Sequence, residues 1–262
     1  MMLLPGRDWT RPADWNAIFI RWALDAAPSG CSGDVQWEPG AQCATNCILC
    51  ESAGDAISVD TTDFQEGVAA GEFDGSEWLA CTDATCGGTT QLDPPGDFSF
   101  GGWMRPASAV LGTGASVFGK WDSSGQGYQL RTQSASPYRY TCDIRGSTSE
   151  TDLVGDMIAD TWDHVACVFD DTADTITAYE NGASSGSPTT QTQACCDNAN
   201  EFELGGAVGL SSWSGELDEM WVVPHVALTE LELCHIARCG LSGELCACDN
   251  EFPDLYAECS AE

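Results

Sequence analysis

Basic residues are scarce in this sequence. Lys and Arg number 9 against 41 Asp and Glu, a formal net charge of −32 at pH 7, and Lys120 is the only lysine. Such a chain repels phosphate backbones and anionic lipid surfaces, which argues against nucleic-acid binding and electrostatic membrane attachment. Metal cations, cationic partners and neutral glycans stay open as ligands. Long apolar runs are missing as well, and nothing approaches the roughly 20 residues of a membrane span. The opening MMLLPGRDWTRPADW lacks the apolar core of a secretion signal, because Pro5, Gly6, Arg7 and Asp8 interrupt it. Histidine is limited to His164, His225 and His235, and no serine sits in a Gly-x-Ser-x-Gly elbow, so familiar nucleophile–base sets are lacking.

Cysteine is abundant. Fifteen in 262 residues exceed what a reduced cytosolic protein carries and read as a disulfide framework, the odd count leaving at least one outside a pair. The cysteines place the protein outside the cell or on a particle surface. The missing leader then implies either a start further upstream or exit by another route, such as release of a particle by lysis. The 28 glycines, with Ser, Thr and Asp clusters recurring every ten or so residues, have the texture of short strands joined by turns.

The strands follow in order. IFIRWALD (Ile18–Asp25) is a first candidate, and residues 26–60 read as loop. VAAGEFDGSEWLAC gives two short strands around Asp74-Gly75. In DFSFGGWMRP, Phe98, Phe100 and Met104 share one face, and Ser99, Trp103 and Arg105 the other. ASVFGKW, GYQLRTQ and YRYTCDIRG come next, then a hairpin pattern in DHVACVFDD and DTITAYENG, and lastly FELGG and GELDEMWVV. Eleven or twelve short strands without helical periodicity predict an all-β antiparallel sandwich. One helix follows: Thr229 is the expected N-cap, Glu232 its capping-box partner, Leu228 and Leu233 the staple, and Gly240 the C-terminal cap.

Four stretches, in order and at matching spacing, resemble the laminin G-like, concanavalin A-type jelly roll: EGVAAGEFDGSEWLAC, GDFSFGGWMRP, TWDHVACVFDDTADTITAYENG and GELDEMWVVPHVALTELEL. The resemblance spans roughly Ile18 to Gly240. It divides the chain into an extension (1–17), a β-sandwich (18–240) and a cysteine-rich tail (241–262). The cysteine-rich segment after the first strand departs from the family's usual loop. The resemblance also implies a structural Ca²⁺ at the sandwich rim. The ion needs six to eight oxygens, and Asp218 and Asp25 stand at positions able to supply some of them. A turn held by Asp218 is the alternative.

GELDEMW also invites comparison with glycosidases of the same fold, whose Glu-x-Asp-x-Glu strand sets acids at i, i+2 and i+4. Retention needs two carboxylates about 5–5.5 Å apart. Glu216 and Asp218 fit, but the third position is Met220, and Glu219 alternates to the opposite face. The strand is moreover the last one, not a central one. The expectation is therefore a protein without catalytic residues. His164 matches the family's strand histidine, which implies a structural role, and His225 falls in the loop before the helix.

CATNCILC brings together Cys43, Cys47 and Cys50, and CHIARCGLSGELCAC brings together Cys234, Cys239, Cys246 and Cys248. Metal ligation is open for both clusters, but paired Cys-x-x-Cys knuckles are missing, and disulfides are expected. Cys81 and Cys86 flank TDAT and would close a small loop. Cys142 and Cys167 lie on strands, either bridged or as buried thiols. Trp103, Trp121 and Trp213 fall outside the most apolar faces and are the expected ligand-stacking aromatics, whereas Trp22 and Trp162 are expected in the core. The function implied is extracellular recognition of glycan or protein through sandwich loops. The alternative is a structural or decoration subunit of a virus particle or fibre, whose copies would meet through Trp9, Trp15, Phe252 and Tyr256 in the terminal segments.

Overall fold

A computed structural model describes residues 20–22, 24, 50–53, 57–81, 92–94, 96–121, 127–145, 150–152, 156–191, 198–206 and 211–240. The strands in chain order begin with β1 (Ile20–Trp22), β2 (Cys50–Ala53), β3 (Ser58–Asp60), β4 (Ala70–Asp74) and β5 (Trp78–Cys81). There follow β6 (Phe98–Pro106), β7 (Ser116–Trp121), β8 (Gly127–Thr132), β9 (Tyr140–Arg145), β10 (Glu150–Asp152) and β11 (Asp163–Asp170). The last are β12 (Thr175–Glu180), β13 (Ala183–Ser184), β14 (Thr189–Thr190), β15 (Phe202–Leu204) and β16 (Ser214–Pro224), before helix α1 (Glu230–Cys239).

All the pairings are antiparallel, and they build two sheets. The nine-stranded sheet runs β13-β12-β11-β6-β16-β4-β3, with β1 on β16 and β14 on β12. The seven-stranded sheet runs β10-β9-β8-β7-β15-β5-β2. The predicted sandwich is thus the observed one, with more strands than expected because several have only two to four residues. Two of these, β2 and β3, lie in the segment read as loop. β4 and β5, adjacent in sequence around Asp74-Gly75, do not pair: one belongs to each sheet, so the turn carries the chain across the sandwich.

Alternation puts one set of side chains from each sheet into a common core. Trp22 stacks on Phe202, with ring centroids 4.7 Å apart. Phe98, Phe100, Phe118 and Tyr128 form an interlocked aromatic cluster at centroid spacings of 5.1–5.6 Å. Each ring buried this way stabilises the fold by about 1.5–3 kcal/mol. Cys142 on β9 and Cys167 on β11 are bridged, with Cα atoms 5.8 Å apart, so a disulfide staples the two sheets through this core. Cys81 and Cys234 each take part in a separate disulfide as well. Cys43, Cys47, Cys86, Cys246 and Cys248 lie outside the described residues, as do the side chains of Cys50 and Cys239.

The outer face of the nine-stranded sheet is also apolar at one end. There Val168, Trp221 and Val223 meet Leu228, Leu233 and Ile236 beneath α1. The helix starts as the sequence predicts: the Thr229 hydroxyl accepts from the Glu232 N–H at 3.4 Å, and the Glu232 carboxylate accepts from the Thr229 N–H at 2.7 Å. Such a cap stabilises a helix by about 1 kcal/mol. Gly240 ends it, donating to the Ile236 carbonyl at φ 73°.

One strand departs from its expected alternation. The register of β16 against β6 shifts between Asp218 and Trp221, and Glu219 stands at φ 49°. This bulge inverts the faces beyond it: Leu217 before it and Met220 and Val222 after it all enter the core. Met220 therefore does not share a face with Glu216 and Asp218, as strict alternation required.

Candidate functional site

Beyond the helix-covered end, the outer face of the nine-stranded sheet turns polar. Register aligns Ser58, Glu72, Glu216 and Arg105 in a row across β3, β4, β16 and β6. The Ser58 hydroxyl donates to Glu72 Oε2 at 2.7 Å, and Arg105 Nη1 donates to Glu216 Oε1 at 2.8 Å. Burial works against the Arg105 charge, but the carboxylates of Glu216, Asp63 and Asp160 more than offset it and raise its pKa. For Glu216 burial dominates and raises the carboxyl, with Arg105 pulling the other way.

Two loops rise around this row. In the first, residues 60–67, Asp60 Oδ1 accepts from the N–H and hydroxyl of Thr62, at 2.7 and 2.6 Å, making a tight turn. These bonds from Thr62 hold the Asp60 carboxyl below its ordinary range. The turn presents Asp63 toward Arg105 Nε at 3.4 Å. Further on, the N–H groups of Gln65 and Glu66 donate to Asp218 Oδ2 at 2.7 and 2.9 Å. Glu66 then reaches Gly240: a Cβ at that glycine would lie 2.2 Å from Glu66 Oε1. The loop thus crosses the face from the polar row to the end of α1.

The second loop, residues 156–162, is anchored where the Asp160 N–H donates to the Pro106 carbonyl at 2.8 Å. It brings Trp162 beside the first loop, with Nε1 donating to Asp63 Oδ1 at 2.7 Å. Trp162 is half-buried, so an indole with its one polar atom already engaged stands at the surface among carboxylates and hydroxyls. The exposed large aliphatics among the described residues, Val68 at 65% and Ile158 at 60%, flank the first loop and lie on the second.

Between the polar row and the helix the face is closed. Trp103 and His164 pair across β6 and β11, their rings edge-on at 5.3 Å, and Trp221 stacks 6.2 Å from His164. His164 is fully buried, its two ring nitrogens make no hydrogen bond, and burial lowers its pKa to about 3. It is a neutral filler ring, in keeping with the structural role the sequence suggests. His225, at the other end of β16, is exposed.

The tryptophan expectations need correction. Trp103 is 9% exposed and packs on His164, and Trp213 is 0% exposed and lies in the core near Tyr140. Neither presents a stacking surface. Trp213 misled because serines surround it: a lone apolar residue in a polar turn has folded inward. Trp162, expected in the core, is half-buried instead. Trp121 is half-buried beside the outer-facing Gln129, Arg131 and Asp143 of the seven-stranded sheet, where Gln129 Nε2 and Arg131 Nε both donate to Asp143 Oδ2.

The carboxylates of GELDEMW are committed to the fold. Glu216 is held by Arg105, and Asp218, 0% exposed, holds the 60–67 loop through two N–H groups. This is the turn-holding use of Asp218. Its Oδ2 takes both backbone donors, and among the described residues no group of three or more His, Cys, Asp or Glu is placed to hold a metal ion. Asp25 lies outside the described residues.

No curated protein sequence matches the chain. Among solved structures, domain 4 of AbnA, an extracellular family GH43 arabinanase from Geobacillus stearothermophilus in complex with arabinotriose, superposes with TM-score 0.59 at 15% identity, over 83% of this chain and 96% of that one. The binding domain of Paraclostridial Mosquitocidal Protein 1 gives TM-score 0.59 at 10% identity, over 86% and 52%. The binding domain of botulinum neurotoxin serotype G gives 0.52 at 9%, over 74% and 47%. At these identities the likeness is one of fold. The sequence model of the concanavalin A-like lectin/glucanases superfamily matches residues 79–234, more than half of the chain, with the sandwich just described, and the protein belongs to that superfamily.

Proposed function

We propose that this protein is a non-catalytic recognition module acting outside the cell, and that it binds a glycan at the rim built by loops 60–67 and 156–162. One observation carries the reading: the Trp162 indole is held at the surface by Asp63, with Arg105, Glu216 and Glu72 arrayed beside it. A ring locked by its N–H offers a rigid apolar platform for the C–H face of a sugar, and nearby carboxylates and hydroxyls can accept and donate to sugar hydroxyls. The fold relatives lend support, since one is a domain in complex with arabinotriose and others are toxin binding domains. Among the described residues no helix is long and apolar enough to cross a membrane.

The test is a glycan array followed by calorimetry on the best ligand, with arabino-oligosaccharides included. Trp162→Ala is expected to weaken binding at least tenfold while the fold, followed by circular dichroism, is kept. Binding unchanged in that variant, or no binding anywhere on the array, overturns the assignment and favours the structural-subunit alternative.

A further inference from the structure

One unbroken strip of contacts crosses the outer face of the nine-stranded sheet. It starts at Trp162, whose Nε1 donates to Asp63 Oδ1 at 2.7 Å. Asp63 Oδ2 lies 3.4 Å from Arg105 Nε, and Arg105 Nη1 donates to Glu216 Oε1 at 2.8 Å. Glu216 stands directly opposite Glu72 in the β4–β16 ladder, and Glu72 Oε2 accepts from the Ser58 hydroxyl at 2.7 Å. Neighbouring strands are about 4.8 Å apart, so Arg105 and Glu72, two strands away from each other, are roughly 9–10 Å apart along the strip. Trp162 lies beyond Arg105, and the whole strip is longer than a single sugar ring.

The strip has an excess of negative charge and an aromatic end. Asp63, Glu216 and Glu72 share it with one guanidinium, and Asp160 adds its charge from the 156–162 loop. Arg105 is taken up by Asp63 and Glu216, so it presents no free fork to an acidic ligand. Glu72 and Glu216 face each other as like charges, which destabilises a ladder when nothing neutralises them. Arg105 flanks Glu216 from β6, on the side away from Glu72. Burial raises the Glu216 carboxyl, Arg105 opposes that, and the Glu72 charge raises it further. Glu72 is exposed, and among the described residues no basic side chain forms an ion pair with it. At the other end, the half-buried Trp162 ring has its N–H engaged and borders the carboxylates with an apolar surface.

We propose that the glycan is an oligomer of amino sugars with free amines: one ring stacks on Trp162, and the ammonium of another sits over Glu72 and Glu216. The inference rests on the recognition site proposed above and names its ligand class. An ammonium fixed to a rigid sugar ring brings three N–H donors with no flexible stem to order. Uronic, sialic and sulfated sugars carry the wrong sign for this strip. Neutral and N-acetylated sugars can use the Trp162 ring but leave Glu72 and Glu216 facing each other unneutralised. A lysine side chain has the right charge, but its four-carbon stem must be ordered on binding.

Calorimetry on the whole protein, in a mildly acidic, low-salt buffer that keeps the sugar amine charged, separates these cases. The ligands are glucosamine oligomers, N-acetylglucosamine oligomers of equal length, an oligouronate and an oligolysine peptide. The glucosamine oligomer is expected to bind roughly fivefold tighter than the acetylated one, and the difference should shrink as salt is added. Glu72→Gln should bring the two to near-equal affinity, and Trp162→Ala should weaken both. Asp174→Asn, on the β11–β12 turn at the far end of the sheet, should change neither. Equal affinity for the two oligomers in the parent, or a preference that survives Glu72→Gln, overturns the amino-sugar assignment and leaves the recognition site standing. Tighter binding of the oligouronate overturns it too, and tighter binding of oligolysine does so in favour of a basic peptide partner. Binding to none of these ligands, with none on the glycan array either, removes both readings.

Discussion

Lys120, the only lysine of the chain, ion-pairs with Asp93 inside the sandwich, both side chains being 1% exposed. Register places Lys120 opposite Tyr128, a core residue, so an ammonium sits where alternation calls for an apolar group. Removing one partner leaves the other charge buried. Lys120→Met is therefore expected to destabilise the protein by about 3–5 kcal/mol, and Lys120→Met with Asp93→Leu to recover most of that loss, as read from urea denaturation.

The inter-sheet staple closes a loop with a sequence separation of 25 residues. Replacing both Cys142 and Cys167 by alanine should lower stability by about 3 kcal/mol through the added freedom of the unfolded chain. Peptide mapping without reductant should recover a fragment joining β9 to β11.

A buried group and a half-buried one make stability depend on pH in opposite senses. His164 is held neutral, with its pKa at about 3 against an ordinary 6.5, so the unfolded chain takes up its proton first. Its contribution is complete above pH 6.5 and is lost as pH falls toward 3, to the extent of roughly 4 kcal/mol. Glu180 is raised to about 7 from 4.5, so its contribution is present below pH 4.5 and is lost as pH rises through 7. The rings of Trp103 and Trp221 face His164, Asn181 receives its backbone N–H, and Asp163 and Glu180 lie on the opposite face of the sheet. Chemical denaturation at a series of pH values should show Glu180→Gln abolishing the loss of stability toward neutrality, and His164→Phe flattening the acid limb.

The tryptophans separate packing from recognition. Trp213→Ala and Trp103→Ala empty buried volume and should each cost about 3–5 kcal/mol in thermal melts. Trp162→Ala, at a half-buried position, should cost far less. An equal loss for Trp162 would mean that its ring is structural.

The fold was legible because period-two alternation and turn residues are written along the strands themselves. DFSFGGWMRP read correctly face by face, DHVACVFDD and DTITAYENG read as the hairpin they form, and the α1 cap is a local chemical signal in Thr229 and Glu232. The site was less legible. Whether Trp162 or Trp103 reaches the surface depends on which loop lies over which strand, and the 60–67 loop is tied to Asp218, the strand partner of Trp103, more than 150 positions away in the chain. The bulge at Glu219 hides for a related reason: it is accommodated by Gly102 of β6, where a Cβ would lie 2.4 Å from Met220 Sδ. Local patterns carry no trace of such distant constraints.

The pairing of β1 with β16 sets Ile20 against Val222. During synthesis the first strand of the chain emerges long before the last. At about 5–20 residues per second the ribosome needs on the order of 10 to 40 s to deliver the partner, and for that time the edge of β1 has no ladder to join. The nine-stranded sheet is therefore finished only after β16 has been made. A nascent chain stalled before β16 would leave Trp22 and the rings around it without their wall, and would be a substrate for chaperones rather than a partly working protein.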